Sequence, residues 1–397
     1  MASGPDRQAL ISPARGTRPA NRRELIVRAA TELFYRKGYA TVGMGEVAEA
    51  VAIGPSALYR HFRGKEALLA SVVGDALHSV ESALAAASPA DVGERLAAVA
   101  LERRTIGVLW RREARHLSAD HRAELRTVSA RIMARLTELI GQRRPDLGAA
   151  ECELLARCAL AVGISVSFHS LSLPEPGFTT LLGELVSETV DAPAALGDQP
   201  TGGAGGAGLV PTGSRRETIL VEASKLFARN GFAGVSMDDI GAAAGIAGPS
   251  VYNHFPAKSD ILVAAMLRGD EWLRMGMNRA FTQASDPSDA LRRLLNSYGA
   301  FVFENPDLVQ LLVSESVQLP AADRHRTRSA QHSYIAEWIH LAVQVHPAWD
   351  PVTARIRIQA AQTILNEIAL TPRSRLTPAV ESAAVTAAAT LLAIPEP

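Results

Sequence analysis

The chain has 397 residues, 47% of them hydrophobic, and its 41 basic and 41 acidic side chains balance to zero net charge. That length exceeds one ordinary core and points to two to four domains, while the balanced charge gives no global case for a polyanionic partner. No uninterrupted apolar run of 18 residues occurs and the first residues lack an apolar signal core, so a cytoplasmic protein without a membrane-spanning helix is expected.

Residues 1–20 read as a flexible arm, and a basic one. Before Gly38 the chain carries Arg7, Arg15, Arg18, Arg22, Arg23, Arg28, Arg36 and Lys37 against Asp6, Glu24 and Glu32. Such an arm can be a footprint for phosphates even on a neutral protein. From residue 22 the pattern is helical. Val27, Ala30, Leu33 and Phe34 share one face, Asn21 with Glu24 has the capping-box spacing, and Gly38 ends the helix. A short helix (GEVAEAVA), a tight turn and a second short helix (PSALYRHF) follow; packed on the first helix they make a helix-turn-helix.

Ser88-Pro89 and Ser118 read as further helix N-caps. The stretch 110–126, WRREARHLSADHRAELR, is dense in charge and reads as a solvated face; its Glu113, His116 and His121 have no recognised metal-ligand spacing. Cys152 and Cys158 fit neither a disulfide framework nor a zinc site and read as small buried hydrophobes. Ser165, Ser167 and His169 fall in an apolar helical stretch, where a satisfied core histidine is the expectation. Residues 191–213 lose all periodicity in favour of Gly, Ala and Pro, and read as a linker. No Gly-Lys-Ser/Thr follows those glycines, so they are not a phosphate loop.

Beyond the linker the chain repeats itself. Residues 22–65 and 215–258 align without a gap at a step of 193, with 18 identities over 44 positions. Similarity resumes at a step of 202, where Glu113, Leu117, Arg122 and Pro145 fall on Glu315, Leu319, Arg324 and Pro347. Ser214 with Glu217 and Ser236 with Asp239 repeat the capping pattern. No strand-like alternation appears, so the fold class is all-α, with about nine helices in each half.

In the first copy Val47-Ala48 leads through Ile53 to Leu58-Tyr59-Arg60-His61-Phe62 and Lys65. In the second, Ile240-Gly241 and Ala244-Gly245-Ile246 lead to Val251-Tyr252-Asn253-His254-Phe255 and Lys258. Both resemble the DNA-binding domain of the TetR/AcrR family over about 50 residues each. The resemblance implies helix-turn-helix domains at 21–65 and 214–258, followed by helical regulatory domains at 66–190 and 259–397. It also implies double-stranded operator DNA as partner, no enzymatic activity and no cofactor. Lys65 and Lys258 would begin the fourth helix of each copy.

In that setting the third helix enters the major groove. The small Gly54, Pro55 and Ser56, like Gly248, Pro249 and Ser250, allow close approach and apolar contact with thymine methyls. Arg60 and Asn253 are the candidates for base hydrogen bonds, and because they differ, the half-sites are expected to differ. Tyr59, His61 and Lys65, with Tyr252, His254 and Lys258, would hold phosphates, joined by Arg18, Arg22 and Arg215. The copies depart from the family pattern. Val51-Ala52 replaces Ala-Gly at the first turn, Gly54 and Ala247 replace Ser, and Gly43 stands where Ser236 caps the second copy. An alanine at a turn needing positive φ costs about 1 kcal/mol, so the first copy is expected to read DNA more weakly.

The linker's r.m.s. reach of roughly 25 Å, and about 75 Å stretched, admits two half-sites about 34–36 Å apart, so one chain is expected to pair its own halves as a pseudo-dimer. The second half holds more aromatics, and Trp272, Tyr298, Phe301, Tyr334, Trp338 and Asn366 are its candidate effector contacts. The leading expectation is a ligand-responsive repressor, whose effector favours a conformation in which the two reading helices no longer match the operator spacing. Tandem members of the resembled family control lipid or steroid uptake and breakdown, which suggests a small apolar effector. The competing function is a helical interaction scaffold that has lost DNA binding. An enzyme is excluded by the lack of a nucleophile–base motif, paired metal ligands or a cofactor loop.

Overall fold

The computed structural model describes residues 21–196, 213–315, 318–371 and 377–394, and among these no strand occurs. They fall into two compact units, one built from 21–85 and 102–132, the other from 86–101 and 133 onward.

In the first unit, α1 (Arg22–Lys37), α2 (Met44–Ala50), α3 (Pro55–Tyr59) and α4 (Lys65–Ala85) form the first head. Its core gathers Ile26, Ala30, Phe34, Val47, Leu58, Phe62, Leu68, Leu69 and Val73, one apolar stripe from each helix. Gly38 ends α1 at φ 84°, its N–H donating to the Phe34 carbonyl at 3.0 Å. Asn21, expected as a capping-box residue, makes no side-chain cap bond, because its backbone (φ −96°, ψ 26°) is not in the extended conformation a cap requires. By length and composition alone α4 could cross a bilayer, but its apolar residues Leu68, Leu69, Val72 and Val73 are core. The unit is completed by α6 (Ile106–Glu113), a 3-10 turn at 114–116 and the first part of α7 (Ala119–Arg143). Ser118 accepts from the His121 N–H at 3.3 Å, as its cap role requires.

The second unit contains α5 (Val92–Glu102) but for its last residue, together with α8 (Ala149–Ser165), α9 (Gly177–Val190) and the whole second copy. Ser88 does not begin α5 directly; it exchanges hydrogen bonds with Asp91 just ahead of the helix. His169 lies beyond the helical stretch predicted for it, accepting from the Leu171 N–H at 3.2 Å. Of the predicted linker, 191–196 is described and packs Ala192 and Ala194 inside, while 197–212 lies outside the described residues. The second head is α10 (Arg215–Asn230), α11 (Met237–Ala243), α12 (Gly248–Val251) and α13 (Lys258–Gln283). Then come α14 (Pro287–Glu304), α15 (Pro306–Ser314), α16 (Ala321–Val345), α17 (Pro351–Ala369) and α18 (Pro378–Leu391). Proline opens α14, α15, α17 and α18, where its missing N–H costs no intrahelical bond.

Helices α8 and α9 of the first copy pack against α17 and α18 of the second. These helices bury many small residues, among them Ala156, Ala159, Ala360, Ala361, Ala384 and Ala388. A bidentate pair crosses the same layer: Arg357 donates to both Glu188 carboxylate oxygens at 2.9 and 3.0 Å and to the Leu391 carbonyl at 2.9 Å. Cys152 and Cys158 are buried free thiols, and burial pushes the Cys158 thiol up to about 12.

Candidate nucleic-acid interface and an internal cavity

Each head presents its third helix on a turn in left-handed backbone. Ala52 has φ 55° and Gly245 has φ 68°, and the residue after each turns back, Ile53 N–H to Ala48 O and Ile246 N–H to Gly241 O. Beyond the turn, Leu58 and Phe62, or Val251 and Phe255, anchor the helix in the core. That anchoring leaves the intervening residues outside: Tyr59 and Tyr252 are both 54% exposed, far more than packing tyrosines would be. Arg60, His61 and Asn253 are exposed beside them, as are Gly54, Pro55, Ser56 and Pro249, while Gly248, Ser250 and His254 are half-buried. Arg22 and Arg215 stand at the first turn of α1 and α10; Arg18 lies outside the described residues.

The two lysines are used differently from the other candidates. Lys258 Nζ donates to the Phe232 and Val235 carbonyls at 2.7 and 2.6 Å and sits 4.4 Å from the Phe232 ring centroid. Lys65 Nζ reaches the Ala40 carbonyl at 3.3 Å and lies 4.3 Å from the Tyr39 centroid. Burial lowers the pKa of both ammonium groups. Both cations therefore tie the loop between the first two helices to the start of the fourth. Arginines do the same for the third helix: the Arg23 guanidinium stands 5.2 Å over Phe62, and that of Arg216 4.3 Å over Phe255.

The stretch 110–126, expected as a solvated face, is instead partly internal. Arg112 is 8% exposed and donates to the Phe34 and Tyr35 carbonyls at 2.7 and 2.8 Å, capping the end of α1, and to Glu113 at 2.5 Å. Glu113 is 2% exposed, and His121 reaches Glu66 at 2.7 Å. In the second copy the buried Glu315 accepts from the Phe232 N–H at 3.3 Å. The recurrence of Glu113 and Glu315 at matching positions, at the ends of α6 and α15, was the available sequence signal for burial of this stretch against the head.

Within the second unit a cavity of about 270 Å³ brings together Tyr298, Phe301, Tyr334 and Asn366. The Tyr298 hydroxyl donates to Asn366 Oδ1 at 2.9 Å, and burial pushes that hydroxyl's pKa up to about 12. Trp338 and Trp272, also expected here, do not line it. Trp338 lies fully buried behind it, edge-on to Tyr298 and Tyr334, and Trp272 is 45% exposed on α13. Sequence could not tell which side of a helix these indoles occupy.

Residues 26–72 and 219–265 each match the family model described as bacterial regulatory proteins, tetR family. The HTH-type transcriptional activator FasR of Mycolicibacterium smegmatis is 29% identical over 104 residues, 26% of this chain and 48% of FasR, so the match spans about half of that relative's length. Among solved structures, a TetR-family regulator of Bordetella parapertussis is 16% identical with a TM-score of 0.43, over 45% of this chain and 95% of its own. The TetR-family regulator PfmR of Thermus thermophilus is 22% identical with a TM-score of 0.40, over 47% of this chain and 100% of its own. The two matched stretches coincide with the two helix-turn-helix heads, so the chain carries two domains of the tetR regulatory-protein type in tandem.

Proposed function

We propose that one chain reads both halves of a single asymmetric operator and releases it when a small amphipathic effector binds, so that the protein acts in the cytoplasm as a ligand-responsive repressor. The observation that carries this reading is the matched exposure of Tyr59 and Tyr252 beside two different base-reading candidates, Arg60 and Asn253. Arginine favours guanine O6/N7 and asparagine favours adenine N6/N7, so identical half-sites would waste one of them. Pairing of the two copies inside one chain draws support from the packing of α8 and α9 on α17 and α18 and from the Arg357–Glu188 pair. Release on effector binding requires unequal affinity for the two arrangements of the copies, and the cavity behind Tyr298 is where that difference would arise.

The test is a gel shift and footprint of the full chain on the DNA upstream of its own gene, at several salt concentrations. One chain per operator is expected, with affinity falling steeply with salt yet surviving competitor DNA. Arg60→Ala should cost about 1–3 kcal/mol and relax one half-site, and Asn253→Ala the other. Absence of binding at low salt would leave the scaffold function standing, and an obligate two-chain particle in light scattering would overturn the intramolecular pairing. Activation is a second reading, favoured by the name of the FasR relative. A reporter fused to the bound promoter separates the two: repression predicts higher expression on deletion of the gene, activation lower.

A further inference from the structure

The two copies differ most where the cavity lies. At the step of 202, α7 (Ala119–Arg143) falls on α16 (Ala321–Val345), and the first residue of α8 on that of α17. At the same step Tyr298, Gln362, Thr363 and Asn366, which line the cavity, stand where the first copy has Leu96, Leu160, Ala161 and Ile164. Leu96 and Ala161 are 2% and 1% exposed, and a Cβ at Gly163 would lie 3.5 Å from Leu96 Cγ, so α5 and α8 close directly on each other. The first copy has filled with hydrocarbon the place that the second keeps polar.

Two side chains give the second copy's cavity its chemistry. Gln362 is 6% exposed, and its Nε2 has no acceptor among the described residues. Arg324 Nε is likewise buried without a partner, although its Nη2 donates to the Leu319 carbonyl at 2.9 Å. Both are N–H donors on the lining of one cavity, which also carries the apolar Phe301, Leu312 and Ile335. A buried donor left unsatisfied is costly, and an oxygen acceptor supplied from outside removes that cost. Two acidic residues also line it, Asp270, which Arg274 engages at 3.0 Å, and Glu367, together with a second basic one, Arg328. Phe168, at the end of the 3-10 turn after α8, is the first copy's contribution to the same wall.

We propose that the second copy alone holds the effector, one molecule per chain, and that this molecule is amphipathic with a carbonyl or carboxylate oxygen accepting from Gln362 and Arg324. Its apolar body packs on Phe301 and on the first copy's Phe168, so occupancy bears directly on how α8 packs against α17. The inference rests on the ligand-responsive reading above. At about 270 Å³ the cavity lies just below the usual range of about 300–1,000 Å³, which suits a single mid-sized chain or ring system.

Calorimetry and native mass spectrometry of the full chain without DNA test it with three probes: decanoate, 2-dodecanone and dodecylamine. One equivalent of decanoate or of the ketone is expected per chain, and none of the amine, which offers no acceptor oxygen; which of the two oxygen probes binds distinguishes carboxylate from carbonyl. Gln362→Leu should weaken binding about tenfold, the worth of one buried hydrogen bond, without lowering the melting temperature of the free protein. Phe168→Ala should weaken it as well, which keeps the idea testable should the first variant fold poorly. Two equivalents per chain, equal binding of the amine, no binding of any probe, or unchanged affinity in both variants would overturn the inference. DNA binding by the ligand-free chain, read in the gel shift, fails or stands independently.

Discussion

The two heads share one plan but are held together by different means. In the first, a buried contact comes from outside the helix-turn-helix: Arg112 caps α1 from α6 while paired with the buried Glu113. In the second, Ser314 stands at that place, and its Oγ donates to the Gln310 carbonyl and to Glu315 and accepts from Gln310 Nε2, all close by in the chain. The second head instead invests in its own short helices. Ser236 and Asp239 form a complete capping box on α11, where the first head has Gly43 and no side-chain cap on α2. Gly241 lies against Gly248, where the first head has Ala48 and Pro55. A head whose α1 is capped from α6 and one that caps its own α11 will respond differently to damage in either part.

The largest expected effect is on the contact from α6. Arg112→Ala strips a buried carboxylate of its guanidinium partner, with His116 at 3.6 Å still beside it, and the end of α1 of its cap, a loss of about 3–5 kcal/mol. The double change Arg112→Met with Glu113→Leu should recover most of it, since no charge is then left buried alone. Ser314→Ala in the second head should cost about 1 kcal/mol, the worth of a neutral hydrogen bond. Urea unfolding monitored head by head, through labels on α3 and α12, checks all three. Equal losses in the two heads would erase the distinction.

Next in size is the close approach in the second head. A Cβ on Gly241 would come within 2.8 Å of Gly248 Cα and N, backbone atoms that cannot swing aside. Gly241→Ala should therefore cost about 1–3 kcal/mol by overpacking, although Ala48 is accommodated at the matching position of the first head. Thermal unfolding checks the loss, and if α12 reads one half-site as proposed, footprinting should show the effect confined to one side of the operator.

The capping box gives a smaller and pH-dependent contrast. Ser236→Ala should cost about 1 kcal/mol, and Gly43→Ser in the first head should gain a few tenths. The Ser236 hydroxyl and backbone N–H hold the Asp239 carboxyl below its usual pKa. A lowered folded pKa means that the ionised form stabilises the fold above the unfolded value, and that this contribution disappears as pH falls through the folded one. The second head should therefore lose stability on acidification in a way that Ser236→Ala reduces, since the backbone N–H then remains to hold the carboxylate, measured as unfolding midpoint against pH from neutral downwards.

Much of this was legible in sequence where the cause is local. Gly38 and Gly231 mark the ends of α1 and α10 because each takes a backbone with φ of 84° and 73° that side chains resist. The alternation of anchored Leu58 and Phe62 with exposed Tyr59 and His61 follows from the short helix period alone. What stayed hidden depends on distant partners. Arg112 and Glu113 sit in a run of charges that reads as solvated, and only the Phe34 and Tyr35 carbonyls, almost 80 residues away, make burial favourable. Trp272 and Trp338 are alike in composition, but their surroundings on α13 and α16 put one half outside and the other behind the cavity wall. Asn21 carries the right side chain for a cap on a backbone that does not adopt the cap conformation.

The smallest effect concerns the turn itself, the one place where the first head violates a local rule outright. Ala52 is a non-glycine residue at φ 55°, and its counterpart Gly245 occupies the same region freely. Left-handed backbone costs an L-residue about 1–2 kcal/mol, while a glycine loses about 0.4–1 kcal/mol more conformational entropy on folding. The two terms oppose each other, so Ala52→Gly should stabilise the first head by no more than about 1 kcal/mol, and Gly245→Ala should destabilise the second by a similar amount. Neither substitution touches an exposed face of α3 or α12, so DNA affinity should follow stability of the turn alone. Half-site titrations at fixed salt, set beside the unfolding midpoints, would show the two quantities moving together. A change in affinity without a change in midpoint would mean that the turn contacts DNA directly.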